Sequence, residues 1–452
     1  MVLVESFSGI RGIYGTELNE EVIIKYANSY NQWLVLKKKT PKIIVGRDTR
    51  PSGPDVFNHL IKGLNDCEII DVGVLPTAAI ENAVRAFGCD GGIIITASHN
   101  EPIYNGFKFL DFDGAVLRPD DIDFIINRVH QIKKVVITSK KNNIINKRDE
   151  AIKEYKKFLK NIIKTEKIDN DYKVLVDPNG GTGSISKEIF EEFKIKCEFI
   201  NMEEGKFFRL VEPNETSLKY LVNEIKRRNC QFAIGFDCDA DRAEIVLDDG
   251  SLVSGNDILA LLTEEILTNS KENQKTVVVN DATSYLVKEI ALKYAAKWIE
   301  VEVGEINVTD KMIETKAQIA GEGSNGGVII PPARCRDGIL TFILLMKLIK
   351  SKNKSLKELI KELPKYHYIK EKVKLKEDFI KLRNKVKEYY IKNGFEILET
   401  GDYTGGLKAI KDNSWIWFRQ SKTEDKVLRI IADSKNRNVS LGLIEEAKNL
   451  LK

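Results

Sequence analysis

A serine beside a histidine is the first feature of the chain that could carry chemistry. The motif TASHN, which contains Ser98 and His99, directly follows the apolar run 92–95. A serine placed where a strand gives way to a turn can be held with its hydroxyl directed into a cleft, as a nucleophile requires. The same residues also suit an ordinary turn or helix cap, and the Gly-x-Ser-x-Gly elbow of the α/β-hydrolases is absent. The serine alone therefore does not distinguish a nucleophile from a structural turn.

Three alternating carboxylates form the second feature. Asp237, Asp239 and Asp241 directly follow an apolar strand pattern and precede Arg242. Acids at this spacing repel one another unless a cation lies between them, and oxygen atoms are the ligands that Mg²⁺ prefers. An EF-hand is excluded, because its loop needs glycine where Arg242 stands. The pattern predicts a divalent metal site, with an acidic turn as the alternative.

A glycine-rich loop offers groups suited to a sugar. The stretch 321–327 contains Glu322, Ser324 and Asn325, whose side chains can hydrogen-bond hydroxyl groups. It lacks the Gly-Lys-Ser/Thr ending of a P-loop, so this type of nucleotide site is excluded.

A basic loop near the C-terminus could hold a phosphate. The stretch 419–424 contains Arg419, Ser421 and Thr423, and Arg429 follows. Guanidinium groups bind phosphate through paired, charge-assisted hydrogen bonds. The alternative is an exposed basic turn.

Short β-branched runs must position these loops. Each run ends in a polar turn, and helical patterns such as 54–64 and 217–228 alternate with them; the runs are 42–45, 69–74, 92–96, 173–176, 232–235, 276–279 and 318–321. Strands that alternate with helices predict α/β domains with mostly parallel sheets. Ligands of such sheets bind beyond the carboxyl ends of the strands, where the serine, aspartate and glycine-rich loops stand. Lysine-rich helical stretches at 140–173 and 347–361 mark candidate boundaries, and the last part of the chain has an α+β pattern.

The composition excludes several classes of function. The 71 basic and 67 acidic side chains nearly balance, which argues against a nucleic-acid surface. No apolar run approaches the ~20 residues of a membrane helix, and the first residues lack the apolar core of a signal peptide. The scattered cysteines include no CxxC pair. We expect a soluble, cytoplasmic protein with neither nucleic-acid nor membrane partners.

Taken in order, the motifs resemble the α-D-phosphohexomutase family, which includes phosphoglucomutase, phosphomannomutase and phosphoglucosamine mutase. The resemblance covers nearly the whole chain and is closest to archaeal members. The matching stretches are FSGIRG (7–12), VGRDTR (45–50), TASHN (96–100), YNGFK (104–108), DPNGGTG (177–183), DCDADR (237–242), GEGSNGG (321–327), RDG (336–338) and RQSKTE (419–424).

The resemblance implies three related α/β domains with mixed, mostly parallel sheets and a smaller α+β domain, arranged around a central cleft. The implied domains are a phosphoserine domain (1–150), a metal-binding domain (151–252), a sugar-recognition domain (253–364) and a C-terminal phosphate-binding domain (365–452). The family also implies a monomer or homodimer that acts on hexose phosphates.

The implied reaction is an intramolecular phosphotransfer between hexose 1- and 6-phosphates, of glucose and mannose, through a phosphoserine at position 98 and a 1,6-bisphosphate. Mg²⁺ would be held by Ser98 and the three aspartates, and glucose 1,6-bisphosphate would act as activator. Arg11 would contact the reacting centre, with Lys108 and His99 as candidates for proton handling. The residues implied to bind substrate are Arg242, Glu322, Ser324, Asn325, Arg419, Ser421, Thr423 and Arg429.

Three departures from the family pattern bear on these roles. Cys238 stands where a glycine is usual in the metal loop, and Asp425 stands where a proline is usual. The sugar loop has no histidine, so a histidine base from that loop is excluded and the general base stays open.

Three alternatives remain. Phosphoglucosamine mutase is the nearest, because the motifs separate it poorly from the main hypothesis. An aspartyl phosphatase is suggested by Asp237 and Asp239 after a strand, although Asp241 replaces the Thr or Val of that motif and TASHN stays unexplained. A non-catalytic sugar-phosphate-binding protein would not need a serine and a triple-carboxylate loop.

Overall fold

The computed structural model describes residues 3–6, 8–137, 143–165, 167–169, 172–323, 326–421 and 426–451. Helices and strands alternate through most of this chain, and an antiparallel sheet with two helices ends it. The predicted class of α/β domains followed by a smaller α+β domain is confirmed. Within the described ranges, no helix combines the length and apolar character needed to cross a bilayer.

The elements follow the chain in four groups. The first group is β1 (Val4–Ser6), β2 (Gly9–Ile13), α1 (Glu20–Lys37), β3 (Lys42–Arg47), α2 (Gly53–Gly63), β4 (Glu68–Val74), α3 (Thr77–Ala86), β5 (Gly91–Ile95), β6 (Tyr104–Asp111), α4 (Pro119–Gln131), β7 (Asn143–Asn146) and α5 (Arg148–Ile163). The second is β8 (Val174–Asp177), a 3-10 turn (Thr182–Ile185), α6 (Ser186–Glu192), β9 (Cys197–Phe199), α7 (Glu215–Leu218), α8 (Leu221–Arg228), β10 (Phe232–Phe236), β11 (Ala243–Leu247) and β12 (Leu252–Val253).

The third group is α9 (Gly255–Asn269), β13 (Thr276–Asn280), α10 (Tyr285–Lys293), β14 (Lys297–Val301), α11 (Glu305–Thr315), β15 (Ile319–Gly321), β16 (Val328–Ile329), α12 (Gly338–Lys352) and α13 (Leu356–Glu362). The fourth is β17 (Ile369–Lys374), α14 (Phe379–Lys392), β18 (Glu396–Glu399), β19 (Leu407–Lys411), β20 (Ser414–Gln420), β21 (Val427–Asp433) and α15 (Arg437–Leu450).

The first sheet has a parallel half and an antiparallel half. Its strand order is β1-β2-β6-β5-β3-β4-β7, in which β5, β3, β4 and β7 run parallel. The pairs β1-β2, β2-β6 and β6-β5 are antiparallel. Strand β5 is buried along its whole length, as expected for a central strand of a sheet covered on both faces. The carboxyl ends of β3, β4 and β5 therefore meet at one edge.

The second sheet, in the order β12-β11-β10-β8-β9, repeats this mixed arrangement. Strand β10 runs parallel to β8 and antiparallel to β11. The loops that follow β8 and β10 thus leave the same edge of the sheet, which brings the DPNGGTG and DCDADR motifs together.

The later strands form a parallel and an antiparallel sheet. Strand β13 pairs in parallel with β14 and β15. The last sheet has the order β17-β21-β20-β19-β18 with antiparallel pairing throughout. Helices α14 and α15 contribute Phe379, Val386 and Ile444 to the apolar core of this domain.

The chain forms two compact units. The first comprises Met1–Val253 and Gly327–Asn353, and the second comprises Ser254–Gly326 and Lys354–Lys452. Helix α12 is apolar on nearly every face and is buried within the first unit. Its Phe342 ring lies 4.7 Å from Phe190 and 6.5 Å from Phe232 between ring centroids.

A buried ion pair fastens the antiparallel sheet to β14 within the second unit. Lys408 is fully buried, and its Nζ donates to Glu300 Oε1 at 2.8 Å. The ammonium group also lies 4.2 Å from the ring centre of Trp415 and 4.6 Å from that of Tyr285. Because both charges are removed from water, each depends on the other.

Replacing Lys408 with methionine should therefore destabilise the second unit by about 3–5 kcal/mol, because Glu300 would keep a buried charge without its partner. Denaturant unfolding followed by tryptophan fluorescence measures this change. The double variant K408M/E300Q is the control and should recover most of the loss. Equal unfolding midpoints for the single and double variants would contradict the role of the ion pair.

Candidate active site

The serine of TASHN is held in an unusual backbone conformation. Ser98 has φ 49°, in the left-handed region that residues other than glycine rarely adopt. Its N–H donates to Thr96 Oγ1 at 2.8 Å, and only 2% of the residue is exposed. Such strain persists only where surrounding contacts enforce it, and it is frequent at functional sites.

Arg50 supplies those contacts. Its guanidinium is buried, and Nε donates to Asp48 Oδ2 at 3.0 Å. The other nitrogens donate to four backbone carbonyls of the serine loop: Ser98 at 2.8 Å, Asn100 at 2.6 Å, Glu101 at 2.7 Å and Tyr104 at 2.9 Å. Because β3 and β5 are parallel neighbours, the residue after one strand can bind the loop after the other.

The loop that carries the three aspartates is fixed through its backbone. The last carbonyl of β10 and three carbonyls of the loop each accept a hydrogen bond from a different part of the first unit. The pairs are Arg209 Nη2 to Phe236 at 2.7 Å, Thr182 N to Cys238 at 2.8 Å, Thr77 N to Asp239 at 3.0 Å and Gly338 N to Ala240 at 3.2 Å. The positions of the aspartates are thus set before any ligand binds.

Asp237, Asp239 and Asp241 converge as the sequence predicts. Each offers a carboxylate oxygen within 4.8 Å of the others, and all three are buried. Within the described part of the chain, Oδ1 of Asp239 and Oδ1 of Asp241 accept no hydrogen bond. Buried carboxylate oxygens that accept no hydrogen bond are stabilised by positive charge, and hard divalent cations take oxygen ligands. The residues present therefore fit a divalent metal ion.

The close approach of the carboxylates changes their acidity. Burial, and then the negative charges of Asp241 and Asp239, raise the pKa of Asp237 well above its usual range. Burial opposes ionisation of Asp241 as well, but Lys108 and Arg336 lower its pKa below the usual range. Lys108 Nζ lies 3.5 Å and Arg336 Nη2 lies 3.6 Å from Asp241 Oδ2. Like charges at this range cannot all ionise easily, and a bound cation would favour the ionised forms.

The hydroxyl of Ser98 reaches this cluster. Its Oγ donates to Asp237 Oδ2 at 3.3 Å and lies 3.5 Å from His99 Nδ1. The positive charge of Arg242, and then burial, lower the pKa of His99 to about 2. The imidazole is therefore neutral at pH 7.

Two further cations predicted from the motifs lie beside the serine loop and the metal loop. Strand β6 carries Lys108, which donates to Asp239 Oδ2 at 3.1 Å. Strand β2 carries Arg11, which donates to Asn100 Oδ1 at 3.2 Å. The antiparallel half of the first sheet thus delivers cationic side chains to the serine and aspartate loops.

In the second unit, Glu322 is oriented by two donors. Its Oε1 accepts from Asn280 Nδ2 at 3.0 Å and from Gly304 N at 3.1 Å, and the residue is buried. Ser324 and Asn325, which share its loop, lie outside the described residues.

The predicted phosphate loop brings two arginines face to face. Arg419 on β20 stands directly opposite Arg429 on β21 in the strand register. Arg419 Nη2 donates to Glu302 Oε1 at 2.7 Å, and Ser421 N donates to Val427 O at 2.8 Å. Like charges opposite each other on a sheet are unfavourable, and the carboxylate of Glu302 offsets part of this repulsion. Thr423 of this loop lies outside the described residues.

Sequence reasoning missed the residues that hold the loops in place. Arg50 and Thr182 belong to quoted motifs, but no role was predicted for them. Arg209 stands in no quoted motif. Thr77 directly follows Pro76 after β4, and that position after a strand is the one signal that could have indicated it.

Comparison with known proteins identifies the family. Three models described as phosphoglucomutase/phosphomannomutase match the chain: alpha/beta/alpha domain I at residues 5–136, domain II at 153–250 and domain III at 254–366.

Similar proteins match over nearly the whole chain. A phosphoglucomutase/phosphomannomutase of Thermococcus kodakarensis is 34% identical and covers 98% of this chain and 97% of its own. A phosphoglucosamine/phosphogalactosamine mutase of Sulfurisphaera tokodaii is 31% identical and covers 98% of each chain. A crystal structure of a phosphoglucomutase/phosphomannomutase family protein from Burkholderia thailandensis has the same fold, with a TM-score of 0.85 at 22% identity over 100% of this chain and 98% of that one. The chain belongs to the phosphoglucomutase/phosphomannomutase family.

Proposed function

We propose that the chain is a phosphohexomutase that interconverts the 1- and 6-phosphates of glucose and mannose. The observation that carries this proposal is the hydroxyl of Ser98, 3.3 Å from Asp237 in a cluster of three buried carboxylates. Phosphoryl transfer needs a positioned nucleophile and compensation of negative charge, and this arrangement offers a place for both. The resemblance to the Thermococcus enzyme supports the choice of substrates.

In the proposed reaction, a free hydroxyl of the hexose monophosphate attacks the phosphorus of phosphorylated Ser98. The bond between phosphorus and Ser98 Oγ breaks, and Oγ takes up the proton that the sugar hydroxyl loses. The resulting 1,6-bisphosphate turns end for end and returns its other phosphoryl group to Ser98. When bound by Asp237, Asp239 and Asp241, Mg²⁺ would neutralise charge on the transferred group. Glucose 1,6-bisphosphate would prime the enzyme by phosphorylating Ser98.

Two residues are proposed for moving the proton. His99 lies beside Ser98 Oγ and is neutral, but its low pKa makes it a weak base until the negative charge of a phosphoryl group raises that pKa. Lys108 bonds to two of the carboxylates and is the second candidate.

Substrate recognition is proposed for the remaining predicted residues. Glu322 and Ser324 would bind the sugar hydroxyls, and Asn325 would assist. Arg419, Ser421, Thr423 and Arg429 would bind the phosphate that does not react, and Arg242 would also bind substrate. The register of Arg419 opposite Arg429 supports this role, because it places two guanidinium groups on adjacent strands. We also propose domain boundaries near residues 150, 252 and 364, where the family-model matches change.

Amino-sugar phosphates are the second candidate substrates. The relative from Sulfurisphaera tokodaii is a phosphoglucosamine/phosphogalactosamine mutase and is nearly as similar as the first. Loops that contact only the 3- and 4-hydroxyls would tolerate change at C2 of the sugar.

A side-by-side assay tests the proposed substrates. The purified protein, with Mg²⁺ and a trace of glucose 1,6-bisphosphate, is offered glucose 1-phosphate, mannose 1-phosphate and glucosamine 1-phosphate in turn, and each 6-phosphate is measured. Comparable turnover of the first two is expected. Clear preference for the third would establish an amino-sugar mutase, and release of inorganic phosphate without isomerisation would contradict the proposed reaction.

A further inference from the structure

Thr77 binds a predicted metal ligand through both its backbone and its side chain. Its N–H donates to the backbone carbonyl of Asp239 at 3.0 Å, and its Oγ1 donates to Asp239 Oδ2 at 2.7 Å. The residue is fully buried and opens helix α3, directly after β4 and Pro76. Asp239, which follows β10 of the second sheet, is thus tied to the first turn of a helix that follows β4 of the first sheet.

These bonds leave the two carboxylate oxygens of Asp239 with different environments. Oδ2 accepts from Thr77 Oγ1 and, at 3.1 Å, from Lys108 Nζ. Oδ1 is buried and accepts no hydrogen bond from the described part of the chain. A carboxylate held at one oxygen presents the other in a fixed direction, which is how residues around a metal site orient its ligands.

Thr77 is better suited than Lys108 to set this direction. Its side chain reaches Oγ1 through a single torsion angle, and the backbone bond to Asp239 fixes the position from which Oγ1 donates. Lys108 is long and divides its ammonium group between Asp239 and Asp241. It therefore neutralises the cluster more than it orients one carboxylate.

We propose that Thr77 is a positioning residue of the metal site, which turns Asp239 so that its Oδ1 faces a bound divalent cation. The inference rests on the proposed metal-dependent function. Removal of the hydroxyl would free the carboxylate to rotate, whereas the backbone bond would keep the loop in place.

Direct binding of Mn²⁺, measured by electron paramagnetic resonance as the loss of free-ion signal, tests the proposal without reference to activity. The full-length wild type is compared with Thr77→Val, Thr77→Ala and Thr77→Ser, and thermal unfolding is recorded for each in EDTA. We expect Val and Ala to weaken Mn²⁺ binding by about tenfold or more, and Ser to restore it.

Thr182→Val is the matched control. Thr182 is also a buried threonine that donates from N and Oγ1 to the metal loop, at 2.8 Å and 3.1 Å, but both bonds go to the backbone carbonyl of Cys238. Its N–H bond would survive the substitution, so Mn²⁺ affinity should change far less than in Thr77→Val.

The outcomes separate this inference from the function on which it rests. Wild-type protein that binds no Mn²⁺ would overturn the proposed metal site itself. Normal Mn²⁺ affinity in Thr77→Val or Thr77→Ala would overturn only the positioning role. An equal loss in Thr182→Val would show that loop packing, and not the hydroxyl at position 77, sets the affinity. Should neither variant without the hydroxyl fold, a tenfold loss in the folded Thr77→Ser protein would likewise contradict the role of the hydroxyl.

Discussion

Ser98→Ala should lower the turnover of hexose phosphates by at least about 1,000-fold, because the variant has no oxygen to carry the phosphoryl group. The side chain of Ser98 donates to Asp237 and lies 3.5 Å from His99 Nδ1, whereas the loop around it is held by Arg50 through backbone carbonyls. The fold should therefore persist. Coupled assay of 6-phosphate formation measures the loss, and circular dichroism checks the fold.

Ser186→Ala provides a matched control for this variant. Ser186 is also a buried serine, and its Oγ has no hydrogen-bond partner within the described residues. It stands at the start of α6, outside the loops that hold the proposed nucleophile and metal ligands. Its substitution should leave turnover near the wild-type value. Undiminished activity of Ser98→Ala would refute the assignment of the nucleophile.

Asp237→Asn should have the second largest effect on turnover. Its effect on the melting temperature should depend on whether Mg²⁺ is present. Loss of one carboxylate should lower turnover by about 100-fold or more at moderate Mg²⁺, because the cation loses a ligand and its charge. Mg²⁺ should raise the melting temperature of the wild type, since a ligand that binds only the folded state stabilises it. This shift should be largely lost in the variant.

Without metal, the same variant should melt no lower than the wild type. The pKa of Asp237 is raised by burial and by two neighbouring carboxylates, so its ionised form costs stability as pH rises. Asparagine removes that cost. The control Asp249→Asn alters an exposed residue in the turn between β11 and β12, at the opposite end of β11 from the metal loop, and should keep both activity and the Mg²⁺ shift. A variant that melts lower than the wild type in EDTA would indicate general damage and contradict this account.

Much of the α/β framework could be predicted from the sequence, because its strands combine two local signals. The runs 42–45, 232–235 and 276–279 are mostly apolar or β-branched and lead into polar turns, and each is a strand in the structure. A buried strand needs apolar residues on both faces, so the sequence pattern and the burial coincide. The motif loops after these strands were located for the same reason.

Other elements depend on partners distant in the chain. The lysine-rich stretch 140–173 was predicted to be helical, but within it Asn143–Asn146 forms β7, which pairs with β4 at the edge of the first sheet. That prediction was wrong at this strand because tertiary pairing outweighs local propensity. The helical pattern 217–228 is likewise interrupted, since α7 ends at Leu218 and α8 begins at Leu221.

The candidate site likewise combines residues that the sequence predicts with residues that it does not. Residues that would touch the substrate or metal stand in recognisable motifs, so Ser98 and the three aspartates could be named from sequence. The residues that hold them bind mostly carbonyl oxygens, which every residue possesses and which leave no sequence pattern. Thr77 lies 162 positions from the aspartate it binds, and a strand-to-helix turn with threonine is too common to mark it.

The location of the transferred phosphoryl group tests the central claim most directly. The protein is incubated with glucose 1,6-bisphosphate and Mg²⁺, digested in acid and mapped by mass spectrometry, and a second sample then receives glucose 6-phosphate. The account predicts an acid-stable phosphoryl group on Ser98 that leaves as the 1,6-bisphosphate forms again. A hydroxylamine-labile phosphoryl group on Asp237, followed by release of inorganic phosphate, would contradict it.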